Sequence, residues 1–237
     1  MIPFFRTLAA FLFLILFIPF AALIAMPWTL ITRNSDFLYF FSLRGARVAL
    51  WLAGIRVETE IRELVPPGQT YIFMSNHVSN LDPPVLIPVI PGRTSVLVKK
   101  ELFRVPIFGT AMRMGALVPV DRSDHEAAIQ SISRAAEVLK RGLHMTIFIE
   151  GTRSRDGRLL PFKKGPFHLA LESGVAIVPV TVLGTRPMMH KGSWLIYAGT
   201  ARVVFHAPID PKNFSDREAL MEAVRESIAG ALPEEQR

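Results

Sequence analysis

Two patterns of apolar residues follow one another along the chain. From Thr7 to Thr32 no charged residue occurs, and Phe11-Leu12-Phe13-Leu14-Ile15-Leu16-Phe17-Ile18 is an unbroken apolar run. A stretch of this kind belongs in lipid. Only Arg6 precedes it and no small-residue cleavage site follows, so it reads as a retained anchor rather than a signal peptide. Pro19 and Pro27 interrupt it, and both a kinked span and a shallow re-entrant or interfacial hairpin fit. Next, Phe37, Phe41, Val48, Leu52 and Ile55 recur at helical spacing with Arg44 and Arg47 off that face. That is an amphipathic helix for a lipid surface or for the flank of a domain.

Beyond residue 66 the period changes. Short β-rich runs at 71–75, 94–98, 116–120, 145–149, 176–183 and 201–206 alternate with helical patterns. Alternation of this sort predicts an α/β fold, a mixed or mostly parallel sheet flanked by helices, behind an N-terminal apolar membrane-associated helical segment. Ser123 and Glu126 form a capping box ahead of Ala128, Ile132, Ala135 and Leu139, and Gly142 stops that helix. Ser215 and Glu218 repeat the device before Leu220, Val224 and Ile228. The turn Pro66-Pro67-Gly68 separates two regions, a helical anchoring region over 1–60 and an α/β domain over 61–237.

Composition narrows the chemistry. The chain has 237 residues, half of them apolar, enough for one sizeable domain and a small appendage. With no cysteine, disulfides, thiolate metal sites and cysteine nucleophiles are excluded, and the histidines lack zinc-binding spacing. A net charge of +7 and an isoelectric point near 10.1 favour anionic partners. Among these nucleic acid fits worst, because the basic residues are scattered and no nucleic-acid motif occurs. Arg33, Arg44, Arg47 and Arg56 outweigh Arg6, which puts the globular part on the cytoplasmic side if the first segment spans.

The most informative stretch is Asn76-His77-Val78-Ser79-Asn80-Leu81-Asp82-Pro83-Pro84, directly after a strand. Pro83 suits the first turn of a helix and Asp82 its N-cap, while a short turn can fold the carboxylate onto the imidazole of His77. Two accounts fit: a histidine oriented by aspartate to act as general base on an alcohol, or a capping aspartate beside an unrelated loop histidine. Other strand ends carry charge as well. Lys99 and Lys100 close one, Asp121-Arg122 another, and Glu150-Gly151-Thr152-Arg153-Ser154 follows a third. A glycine allows close approach and a guanidinium matches phosphate oxygens, although each arginine taken singly fits a surface salt bridge. There is no GxSxG elbow and no GxGxxG after a strand, which disfavours a serine hydrolase and a dinucleotide enzyme. His125, His144, His168, His190 and His206 share no motif with a carboxylate and are assigned to structure or surface.

Over roughly residues 70–185 these blocks resemble, in order, the 1-acyl-sn-glycerol-3-phosphate (lysophosphatidic acid) acyltransferase family. His77 to Asp82 matches the NHxxxxD block, Gly115 to Arg122 a second block ending in arginine, Glu150 to Ser154 the EGTRS block, and Val178-Pro179-Val180 a fourth. Lys99-Lys100-Glu101-Leu102 and Lys163-Lys164-Gly165 resemble flanking sequence. One departure is Ile149, where the family usually has proline before the glutamate. The resemblance implies phosphatidic acid synthesis at a bacterial inner membrane, with acyl-CoA or acyl carrier protein as thioester co-substrate, a lysophospholipid acceptor, and no cofactor or metal. It implies His77 as base, Asp82 as its orienting partner, and Arg122, Arg153 and Lys99 or Lys100 on the acceptor phosphate. Glu150 and Gly151, with Thr152 beside them, would shape that site. The same blocks would serve another acceptor such as a lyso-ornithine lipid, or a non-catalytic lipid-binding protein of this fold.

Overall fold

The computed structural model describes residues 1–63, 66, 68–121 and 125–237, the side chains of His125 and Ala128 excepted. The long uncharged stretch is one helix, α1 (Ile2–Thr32), continuous through Pro19 and Pro27. At Arg33 the backbone turns left-handed and the chain reverses into α2 (Asp36–Leu52). There follow β1 (Ile55–Ile61), β2 (Ile72–Ser75), α3 (Asp82–Leu86), β3 (Thr94–Lys99), α4 (Phe108–Met114) and β4 (Val118–Val120). Then come α5 (His125–Lys140), β5 (His144–Phe148), α6 (Gly165–Ser173), β6 (Ile177–Leu183), α7 (Thr185–Met188), β7 (Gly199–Phe205) and α8 (Arg217–Ala229).

The strands form one sheet in the order β1-β7-β6-β2-β5-β3-β4. Neighbours run parallel except β6 and β7, so the sheet is mixed. Its central strands are apolar and buried on both faces, as strands covered by helices on two sides must be. Period-two alternation divides β2 between two cores. Phe73 packs with Leu50, Val85 and Leu86 on the side of α1 to α3, while Ile72 and Met74 join Ala135, Phe167 and Leu220 on the side of α5, α6 and α8. Strand direction then fixes the functional edge. The C-terminal ends of β2 to β6 emerge together, and the β6–β7 reversal brings the N-terminal ends of β7 and β1 to the same edge.

α1 does not project from this body. Its inward stripe consists of small residues, Thr7, Ala10, Ala21, Ala25 and Thr29, and Gly45 of α2 lets Phe17 approach so closely that a Cβ there would lie 2.1 Å from Cε1. One end of the helical hairpin is held where the Ile196 N–H donates to Thr7 Oγ1 at 2.8 Å. The other is held where Arg93 donates to Asp36 at 2.6 Å and to Ser35 at 2.8 Å. The outward side chains of α1, among them Leu12, Ile15, Leu16, Leu23 and Ile31, are exposed. The helix has the length and hydropathy of a membrane span, yet it lies along the domain.

Several expectations need correction. The buried residues of α2 are Leu38, Tyr39, Gly45 and Leu50, whereas Phe37 and Val48 are exposed. The reason is that α2 serves two partners: Phe37 and Phe41 stack on each other and meet Trp28, Phe17 and Phe20 of α1, while Tyr39 and Leu50 face the domain. Ile55 opens a strand instead of continuing the helix, so the helical region ends at Leu52 and the sheet begins well before residue 61. Asp216, not Ser215, caps α8, accepting from the Ala219 N–H at 2.8 Å. Ser123 and Pro67 lie outside the described residues.

Candidate active site

Every side chain that builds the site stands at the sheet edge defined above. After β2 the backbone ladder ends and the side chain of Asn76 extends it. Its Nδ2 donates to Val182 O at 3.0 Å and its Oδ1 accepts from the Val182 N–H at 2.8 Å. The next residue, His77, is thereby held in line with the strand. Its Nδ1 lies 2.7 Å from Asp82 Oδ2, and the same oxygen accepts from the Val78 N–H at 2.7 Å and the Ser79 N–H at 2.8 Å. The other oxygen, Oδ1, accepts from the Thr185 hydroxyl at 2.5 Å. Asp82 is fully buried, yet every group facing it is a donor. The carboxylate therefore acts as acceptor throughout, Nδ1 carries the proton, and Nε2 presents its lone pair. Among the described residues Nε2 has no hydrogen-bond partner, and His77 keeps 8% exposure. Phe148 stacks on the imidazole at 4.3 Å between centroids and fixes its plane.

Asp82 does not cap α3. The cap position is Leu81, with no side-chain bond, and Asp82 is the first helical residue, ahead of Pro83 and Pro84. Those prolines have no N–H to offer, and the carboxylate turns back onto the 77–79 loop, whose amides do need acceptors.

Glu150 also departs from expectation. It is 2% exposed, its Oε1 accepting from the His77 N–H at 2.6 Å and its Oε2 from the Leu160 N–H at 3.0 Å. Burial pushes its carboxyl up to about 7, and the two backbone donors oppose that only in part. With both oxygens engaged by main chain, Glu150 holds the His77 peptide in place. Ser154 completes the brace, its N–H donating to His77 O at 2.9 Å, so that the 150–154 loop grips the histidine on both its peptide groups. Gly151 has φ of 68°, and a Cβ there would meet Lys163 Cγ at 3.0 Å, so what approaches this glycine closely is a lysine stem.

Of the remaining expected residues, the two lysines stand at the same sheet edge, two strands away from β2. Lys99 ends β3 and lies 3.6 Å from Glu101; Lys100 pairs with Asp121 at the end of β4. Arg122 lies outside the described residues. Thr152 and Arg153 stand on the gripping loop, where Lys191 donates to Thr152 Oγ1 at 3.3 Å and to Arg153 O at 3.0 Å. No ion pair engages the Arg153 guanidinium among the described residues, which leaves its fork available to an anion. Four contributors were not singled out from sequence: Asn76, Phe148, Thr185 and Lys191. Asn76 stood inside the histidine block and was within reach of sequence reasoning; Thr185 and Lys191 follow β6 and meet the site only through the fold.

A family model described as Acyltransferase matches residues 56–183. The 1-acyl-sn-glycerol-3-phosphate acyltransferase of Arabidopsis thaliana chloroplasts is 37% identical over 180 residues, 75% of this chain and 49% of that protein. The chain thus spans about half the length of that relative. The human 1-acyl-sn-glycerol-3-phosphate acyltransferase alpha is 32% identical over 213 residues, 88% of this chain and 75% of that one. In three dimensions, the crystal structure of the 1-acyl-sn-glycerophosphate acyltransferase PlsC from Thermotoga maritima superposes with a TM-score of 0.82 at 29% identity, covering 94% of this chain and 91% of that one. A histidine block braced by the EGTRS loop at one sheet edge, and likeness carried through sequence, family model and fold alike, place this chain in the acyltransferase family, among the 1-acyl-sn-glycerol-3-phosphate acyltransferases.

Proposed function

We propose that the protein transfers a fatty acyl group from a thioester to the sn-2 hydroxyl of 1-acyl-sn-glycerol-3-phosphate, giving phosphatidic acid and the free thiol. The observation that carries this is His77, with Nδ1 held on Asp82 and Nε2 open at an edge rich in cations. Nε2 takes the hydroxyl proton as the oxygen attacks the thioester carbonyl; the tetrahedral intermediate collapses, the C–S bond breaks, and the sulfur leaves as thiol with the proton from Nε2. A thiolate is a good leaving group, so orientation and one proton transfer carry the acceleration, the latter worth about two to four orders of magnitude. The step calls for no metal and no bound cofactor. Arg122, Arg153 and one of Lys99 or Lys100 hold the acceptor phosphate, and acyl-CoA or acyl carrier protein brings the acyl group to a basic surface.

The exposed apolar face of α1 and the ties at both hairpin ends support interfacial anchoring, with the helix lying in one leaflet beside the domain. An acceptor can then keep its tail in the bilayer while its headgroup reaches His77. The test is transfer of labelled acyl from acyl-CoA to lysophosphatidic acid in membranes holding this protein, with lyso-ornithine lipid as a parallel acceptor and His77→Ala as control. Phosphatidic acid formed by the native chain and lost in the variant supports the reading. Product from the other acceptor alone overturns the phosphate assignment of Arg153, and full activity in the variant overturns the base.

A further inference from the structure

The segment 189–197, between α7 and β7, is bonded to three separate parts of the molecule. Met189 O accepts from the Ser79 hydroxyl at 2.6 Å, behind the histidine loop. Lys191 Nζ donates to Arg153 O at 3.0 Å, on the gripping loop. Ile196 shares two hydrogen bonds with Thr7 of α1, its N–H donating at 2.8 Å and its carbonyl accepting at 3.3 Å. Between the last two ties stands Trp194 and directly after them Tyr197, two large side chains that the protein leaves uncovered. Trp194 is 58% exposed although its ring meets Phe4 of α1 edge-on at 6.0 Å, and Tyr197 is 44% exposed.

An exposed tryptophan and tyrosine in a segment held this firmly are not mobile loop residues. Their neighbours identify what covers them. Phe4 is flanked on α1 by Ile2, Phe5 and Leu8, all exposed, so the aromatic pair continues an apolar face that extends along the helix. Arg6 lies close by, its guanidinium 3.1 Å from the position a Cβ would take on Gly54, and Lys191 closes the other side. Apolar rings with a polar tip, flanked by cations at the end of an apolar helix, suit the headgroup level of a bilayer, where Trp and Tyr concentrate and anionic lipid attracts Lys and Arg. A soluble protein partner would have no use for the rest of that apolar face, whereas a bilayer covers both at once.

We propose that the segment 189–197 is a second membrane contact, with Trp194 and Tyr197 seated among lipid headgroups beside the N-terminus of α1. Because the segment is bonded to Ser79 and to Arg153, seating it sets the mouth of the site at the height of the lipid headgroups. A one-chain acceptor then enters sideways from the leaflet, and its phosphate already stands at the level of Arg153. The function of that mouth rests on the acyltransferase reading; the lipid contact itself does not.

The test uses the full chain carrying Trp28→Phe and Trp51→Phe, so that Trp194 is the remaining tryptophan. The protein is added to phosphatidylethanolamine–phosphatidylglycerol vesicles, with binding followed by co-sedimentation and turnover measured on the same preparation. The expected result is a blue-shifted Trp194 emission on binding, strong quenching by lipids brominated near the headgroup end of the chain, weak quenching by aqueous iodide, and a several-fold weaker partition for Trp194→Ala. Bound protein whose Trp194 emission stays unshifted and open to iodide overturns the proposal, as does failure to bind vesicles. A shift that appears without lipid as protein concentration rises also overturns it, in favour of a second copy as the occupant. None of these readouts depends on acyl transfer, so a shielded Trp194 in an inactive protein would count against the enzymatic reading alone.

Discussion

In the mechanism proposed above, the charge on Asp82 should have the largest consequence for rate, and Asp82→Asn isolates it. The side chain keeps its size, its oxygen can still accept from Val78 and Ser79, and its new amide can donate to the Thr185 hydroxyl, which accepts as well as it donates. What disappears is the negative charge 2.7 Å from Nδ1, which at an effective dielectric constant near 20 interacts with an imidazolium by about 6 kcal/mol. The whole contribution of general base catalysis is smaller, about two to four orders of magnitude, or roughly 3 to 5 kcal/mol, so the chemistry sets the size of the loss. Turnover at saturating acceptor should therefore fall by about 10² to 10⁴, with an unchanged KM and a melting temperature within a few degrees of the native value. Asp82→Ala would be less informative, since each of two amides left without an acceptor costs about 1 to 3 kcal/mol and unfolding would mix with loss of rate. An Asp82→Asn protein that is folded and retains more than a tenth of native turnover would refute the role given to the pair.

Three further outcomes can be measured. Thr185→Val removes one donor from Asp82 and should lower both turnover and stability, the latter by about 1 kcal/mol, while Thr185→Ser restores most of each; equal behaviour of the two variants would show that the hydroxyl is immaterial. Arg153→Ala should raise KM for lysophosphatidic acid by roughly 10- to 100-fold, with less effect on turnover and a weaker dependence on salt; an unaltered KM would remove the guanidinium from the phosphate site. The third concerns pH. Glu150 is raised from 4.5 to about 7 by burial, so its stabilising contribution is complete below about 4.5 and is lost as pH climbs through 7, by about 3 kcal/mol in all. His206 is pushed down to about 4, mainly by burial, so its contribution is complete above about 6.5 and is lost as pH falls toward 4. The two slopes oppose between 4.5 and 6.5, and native stability should be nearly flat there. Glu150→Gln, besides losing about 1 to 3 kcal/mol because an amide nitrogen would face a backbone N–H, should unmask a decline on acidification in thermal melts; a flat profile in the variant would contradict this.

What could be read from the sequence was what local pattern encodes. The six strands beyond residue 66 stand close to their expected places because each is a short β-rich run between turn residues, and the buried stripe of α8 lies at Leu220, Val224 and Ile228 as its spacing requires. β1 escaped detection because its buried Ile55 is followed by exposed Arg56, Glu58 and Thr59; as an edge strand it buries little, and its pairing with β7 is written far away in the chain. Burial misled for α2, whose two apolar sides answer to different partners. In the site, His77 and Asp82 were legible because only four residues of chain separate them. Glu150 was visible as a residue but its partners were not, since only the fold turns it onto the main-chain amides of His77 and Leu160. Thr185 and Lys191 depend wholly on tertiary placement.

The pairing of β1 with β7 also governs the order of events during synthesis. Ile55 finds its partner at Gly199, on the far side of the entire catalytic block, so this edge of the sheet cannot close until nearly all the chain has left the ribosome. At ordinary elongation rates that leaves the α1–α2 hairpin without its full docking surface for on the order of ten seconds. An apolar helix exposed for so long aggregates unless something receives it. With the interfacial anchoring proposed above, the leaflet is the natural recipient, and insertion of the hairpin would be an early step of folding, with the catalytic edge assembled afterwards against a helix already in lipid.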